Sequence, residues 1–189
     1  MGLTQQKIDE LLNKYNGARE SDGFILLGIR DESNPKADEF NDFIGYATKN
    51  TIELFKGTTD PGLWWTYHQM APPHGAAHYK NGFHKDLFTE GWHYDQVALV
   101  QASPASIWRD DNKDQKFTVG IDFEQTMNAA MNLHHAKGSP KIYDWSAGCQ
   151  VVQSASDHGK IMTAVRSTNK YKANPKAQFS YLLVSIQEV

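Results

Sequence analysis

The chain has one cysteine, Cys149, set in Asp144-Trp145-Ser146-Ala147-Gly148-Cys149-Gln150, and two adjacent histidines, His134 and His135, lie upstream of it. A thiol attacks only as its thiolate, so a cysteine that does chemistry needs a base close enough to take its proton. The small residues before it suit the same chemistry, because Gly148 lets a backbone amide come close to the oxyanion that forms on an attacked carbonyl. The competing reading is a buried and inert thiol, since free cysteine is among the most buried residue types. On a strand, His134 and His135 point to opposite faces, so only one of them can meet Cys149, and a structural role is open for either.

A second set of candidates is the histidine-rich stretch with His68, His74, His78, His84 and His93. Glu90-Gly91-Trp92-His93 is similar to the Glu-x-x-His of zinc carboxypeptidases, in which histidines and an aspartate hold the metal and the glutamate is the base. The partner motif is incomplete, because the seventh residue after His78 is Lys85 and not an aspartate. The alternative to a zinc site is that these residues line a loop near the cysteine, with His93 or His74 binding a carboxylate. Asp110, Asn112 and Asp114 have a calcium-loop spacing, but Gln115 replaces the required glycine and Ile121 the required glutamate, so a polar turn is expected. Trp64, Trp65, Tyr67, Trp92 and Trp145 are candidates for stacking on sugars or for the core, and Trp145 is the one expected to line a site.

These residues need a scaffold of strands. Thr4 is placed to cap a helix with Ile8, Leu11, Leu12 and Tyr15 on one face, ended by Gly17. Strands are expected over the FILLGI run beginning at Phe24, Phe43–Ala47, Thr51–Phe55, Gln96–Gln101, Ser106–Trp108, Phe117–Ile121, Ala129–His135, Gln150–Val152 and Phe179–Ile186, and a second helix over Ser156 to Ser167. Asp31 to Asp42, with Pro35, reads as a loop, and Gly62 to Trp92 as a long functional loop or lid. The expectation is one α+β, mainly β, domain over 1–189, with a helix and turn over 1–22 and a β-rich core over 23–189.

The 189 residues are 40% hydrophobic and 12% aromatic, enough for a packed core. A net charge of −3 without a basic run argues against a nucleic-acid or anionic-membrane partner. One cysteine cannot make an internal disulfide or a four-cysteine zinc site. No segment approaches the roughly 18 apolar residues of a membrane span. The first seventeen residues lack the apolar run of a signal peptide, so synthesis in the cytoplasm is expected.

Asn132-Leu133-His134, a loop, and then Trp145-Ser146-Ala147-Gly148-Cys149-Gln150-Val151 resemble the L,D-transpeptidase (YkuD-like) catalytic domain, in a divergent phage and bacterial branch. Thr59-Asp60-Pro61-Gly62, the stretch from Gly91 to Val100 and the Arg109 to Asp114 turn extend the resemblance over about residues 43 to 152. It implies a β-sandwich or barrel with one or two helices, and a cysteine enzyme acting on peptidoglycan stem peptides. Cys149 would form a thioester with His134 as base, Ser146 would orient that histidine, and backbone amides at Ala147, Gly148 and Cys149 would bind the oxyanion. His93, Trp145 and His135 are the expected substrate contacts, with no metal or other cofactor. Ala147 stands where the family has a second histidine and Val151 where it has a polar residue, and the interval from His134 to Cys149 is shorter than usual. These departures favour hydrolysis (carboxypeptidase or endopeptidase) over cross-linking. A monomeric phage lytic enzyme, reaching the wall or periplasm by release or by another export system, fits this reading. A zinc-dependent wall peptidase and a non-catalytic wall-binding or phage structural module are the alternatives.

Overall fold

The computed structural model describes residues 2–32, 38–68 and 74–189. The expected helix α1 (Gln5–Lys14) has Thr4 as its cap, whose hydroxyl accepts from the Lys7 amide. It is followed by strands β1 (Ile25–Arg30), β2 (Asp42–Ala47) and β3 (Ile52–Thr58), and by the one-turn helix α2 (Leu63–Tyr67). Then come β4 (Ala77–Tyr79), β5 (Gly82–His93), β6 (Gln96–Gln101), β7 (Ala105–Arg109), β8 (Phe123–Met127), β9 (Leu133–His135) and β10 (Gln150–Val152). Helices α3 (Ala155–Ser167) and α4 (Asn169–Ala173) precede the last strand, β11 (Gln178–Ser185). The fold is α+β and mainly β, with four α-helical segments among the described residues where one or two were expected; the additions, α2 and α4, are five residues each.

Eight strands close a barrel in the order β1-β11-β5-β6-β9-β10-β3-β2, and β4-β7-β8 form a separate three-stranded sheet. Only β1–β11 and β9–β10 pair in parallel. The unbroken apolar run of β1 follows from its position, since both of its faces are covered. Ile25, Leu27 and Ile29 pack outward with Ile8, Leu11 and Leu12 of α1, and Leu26 points inward to a cluster that also holds Ile107 of β7 and Ile161 of α3. Gly28 faces inward as well, where any Cβ would overlap the Tyr181 hydroxyl, which donates to Gln150 Oε1 at 2.7 Å.

Three expected elements are corrected. Phe117–Ile121 is a turn, with Val119 and Ile121 exposed and Gly120 left-handed, and the strand that pairs with β7 is β8. The strand proposed from Ala129 shortens to Leu133–His135. Ala130 is left-handed, and the Ala129 and Met131 amides donate to the side-chain Oε1 of Gln101 instead of to a ladder carbonyl. The long loop from Gly62 to Trp92 contains α2, β4 and most of β5, the longest strand of the barrel. Pro35, named in the Asp31 to Asp42 loop, lies outside the described residues.

Candidate active site

The site is built by the parallel pair β9–β10. Leu133 pairs with Gln150 and His134 with Val151, so the residue before each strand also meets its counterpart. The Gln150 amide donates to the Asn132 carbonyl at 2.8 Å, and the Asn132 amide donates to Cys149 Sγ at 3.4 Å. Strand alternation then separates the two histidines. His134 stacks on His93 from the end of β5, with ring centroids 4.1 Å apart, and His135 meets His158 of α3 edge to face at 5.3 Å. One nitrogen of His93, one of His134 and Cys149 Sγ lie within 4.8 Å of one another, the only such group of potential metal ligands among the described residues.

The proton positions are set by the neighbours. His134 Nδ1 donates to the His135 carbonyl at 3.3 Å, which leaves Nε2 as the lone-pair nitrogen, buried and without a partner among the described residues. This is the tautomer a general base requires. Asn132 Oδ1 accepts from the Gln101 amide at 2.9 Å, so its Nδ2 donates to His93 Nδ1 at 3.0 Å and the proton of neutral His93 sits on Nε2. Burial, and then the nearby His93, lowers the His134 pKa to about 3. Burial raises the Cys149 thiol to about 11, against the opposing effect of the Asn132 amide. The pair therefore rests as neutral thiol and neutral imidazole. Alkylation of Cys149 by iodoacetamide is accordingly expected to rise about tenfold per pH unit from pH 7 to 9 without levelling. A plateau in that range would show a thiolate–imidazolium pair instead.

A cleft of about 350 Å³ reaches the two histidines of this group, lined by Trp65, His93, Tyr94, His134, Lys137 and Trp145 among others, while Cys149 lies buried behind them. Of the expected contacts, His93 and Trp145 line it and His135 does not. Its ring turns to α3, and its Nδ1 accepts from the Lys137 amide at 3.2 Å. Ser146 is fully buried and serves its own turn, donating to the Cys149 carbonyl at 2.8 Å and accepting from the Gly148 amide at 3.2 Å. The ring of His134 is thus held by the His135 carbonyl, and the Gly148 amide is already engaged. Among the described residues, the Ala147 and Cys149 amides have no internal acceptor. Gly148 has φ +132°, and a Cβ there would overlap the Ala77 carbonyl, so the turn requires glycine.

Residues without an assigned role in the sequence reading hold this site from behind. The Gly62 amide donates to the Ser146 carbonyl at 2.9 Å. Asp60 pairs with Arg30 at 3.1 Å and with His78 Nδ1 at 2.9 Å, and the His78 ring lies flat on Trp108. Asn132 carried a signal in its place before Leu133-His134; Gln101 and Arg30 carried none. The histidine-rich set does not converge. His68 stacks on Trp64, His74 bonds to Asp111, His84 bonds to the Lys80 carbonyl, and only His93 reaches the cysteine. Glu90, the base of the zinc reading, is paired through both oxygens with Arg166 at 2.8 and 3.0 Å. Asp110 caps its own turn, accepting from the Asp114 and Gln115 amides. The chain matches no known family model, no curated protein and no solved structure.

Proposed function

We propose that this protein is a cysteine-dependent acyl-transfer enzyme acting on peptidoglycan stem peptides. The observation that carries the reading is the lone cysteine grouped within 4.8 Å of one nitrogen each of His134 and His93, two histidines that line the cleft. The substrate class comes from the resemblance of the Asn132-Leu133-His134 and Trp145 to Val151 segments to the L,D-transpeptidase catalytic domain. In the proposed reaction a stem-peptide carbonyl enters the cleft with its oxygen toward the Ala147 and Cys149 amides. Cys149 Sγ attacks the carbon while His134 Nε2 takes the thiol proton. Collapse of the tetrahedral adduct breaks the C–N bond, His134 returns the proton to the leaving amine, and a thioester remains on Cys149. Water then releases a carboxylic acid; an amine acceptor would form a new amide. Val151 is buried in the apolar cluster around Cys149, so its side chain gives the cleft no polar contact of the kind cross-linking members have there, which favours water.

The test is mass spectrometry of Gram-negative peptidoglycan incubated with wild type and with Cys149→Ala, each with and without chelator. Shortened stem peptides or altered cross-links with wild type alone, chelator or not, are the expected result. Activity that survives in Cys149→Ala and falls with chelator would transfer the assignment to metal chemistry, and unchanged muropeptides throughout would overturn the hydrolase reading on this wall.

A further inference from the structure

Three aromatic side chains from three segments, Trp65, Tyr94 and Trp145, line the cleft. Tyr94 is 91% exposed. The segments are tied together at this point, since Trp65 Nε1 donates to the Asp144 carbonyl at 2.8 Å and His93, between Trp92 and Tyr94, stacks on His134. A concentration of large exposed rings marks a binding surface. One of the three carries a further mark: Tyr94 has a φ of 52°. The β5–β6 hairpin turns through Tyr94-Asp95, a position where asparagine or glycine fits without strain. A bulky residue is held there at a cost of about 1 kcal/mol with nearly all its surface in water, its ring touching the His93 ring edge-on at 4.7 Å.

We propose that this aromatic rim is a saccharide-binding surface, on which sugar rings of the wall glycan stack while the attached stem peptide enters the cleft. The apolar C–H face of a pyranose packs on an aromatic ring, and its hydroxyls reach polar side chains at the edge. Here Asp95, Lys137 and Asp144 line the same cleft. The Asp95–Lys137 pair, at 2.7 Å, cancels its own charge, so among the described residues that line the cleft there is no basic cluster for a polyanion or an acidic lipid surface. The choice of glycan rests on the wall substrate proposed above, but binding to it needs no catalysis.

The experiment uses full-length Cys149→Ala protein in cosedimentation with chitin, an uncharged N-acetylglucosamine polymer, and with peptidoglycan stripped of its stem peptides. Tyr94→Ala is tested in the same background. The parent is expected to sediment with both polymers, and the substitution to weaken retention about tenfold with unchanged circular dichroism, since the side chain is exposed. Three results would overturn the proposal: no retention on either polymer, retention only on wall that keeps its stem peptides, or a dimer by light scattering that Tyr94→Ala dissociates. Should wild type leave muropeptides untouched while stripped glycan still binds, the proposed reaction fails and the saccharide surface stands.

Discussion

Cys149→Ala is expected to lower stem-peptide turnover by at least about 10⁴-fold, and His134→Gln to come close to it, because nucleophile and base act as one unit. The geometry makes this prediction steep. The thiol sits near 11 and carries little thiolate at neutral pH, so attack depends on proton removal, which the proposed step assigns to the unpartnered Nε2 of His134. For the same reason the double variant should be no slower than the worse single variant, whereas independent contributions would multiply. His93→Gln provides the contrast. His93 carries its proton on Nε2 and stacks on His134 without receiving a proton in the proposed step, so a loss of only about tenfold is expected. A loss at His93 equal to that at His134 would exchange their roles. Steady-state kinetics on a synthetic stem peptide, with thermal melts of each variant as the folding control, measures all four.

The second large effect is acid unfolding. Burial lowers His134 to about 3 and His84 and His158 to about 4, from an ordinary 6.5. The folded state keeps these rings neutral while the unfolded chain protonates them, so their stabilisation is present above pH 6.5 and is lost as pH falls toward 4. Asp42 opposes this. Burial, and then the charge of Asp60, raises it from 3.8 to about 7, so its contribution is full below 3.8 and lost as pH rises through 7. Between pH 7 and 5 the three histidines should together cost about 6 kcal/mol and Asp42 return about 2, a net loss of ~4 kcal/mol. For a chain of this size that lowers Tm by about 10 °C. Calorimetry at pH 7 and pH 5 measures it, and His158→Leu, outside the cleft, should remove roughly a third of the histidine contribution. A Tm that is flat across this range would show that these rings are not buried as neutral imidazoles.

The legible parts of the sequence were those in which local pattern and final environment agree. The Thr4 cap, the β6 and β10 boundaries and the β1 run follow from capping chemistry and hydrophobic period, which depend on near neighbours. Phe117–Ile121 misled because its apolar residues sit in a turn exposed to water, and the strand that pairs there, β8, shows no apolar alternation. The length of β5 was hidden by its composition. It is crowded with histidine, lysine and glycine, and its pairing with β6 and β11 supplies the order that propensity does not.

By itself, the sequence determined the reactive pieces: one thiol, a histidine pair on a short strand, and a glycine turn before the cysteine. It also determined that His134 and His135 must part, since strand alternation is local. Only the tertiary structure decided which of them meets the sulfur, because that depends on the parallel register of β9 on β10. It also brought His93 from β5 to the site in place of the other histidines of its stretch, and gave Ser146 to its own turn. The tautomers of His134 and His93 were likewise decided there. Each is fixed by a hydrogen bond whose partner is oriented by a third residue, and the chain from Gln101 through Asn132 to His93 joins positions that only barrel closure makes neighbours.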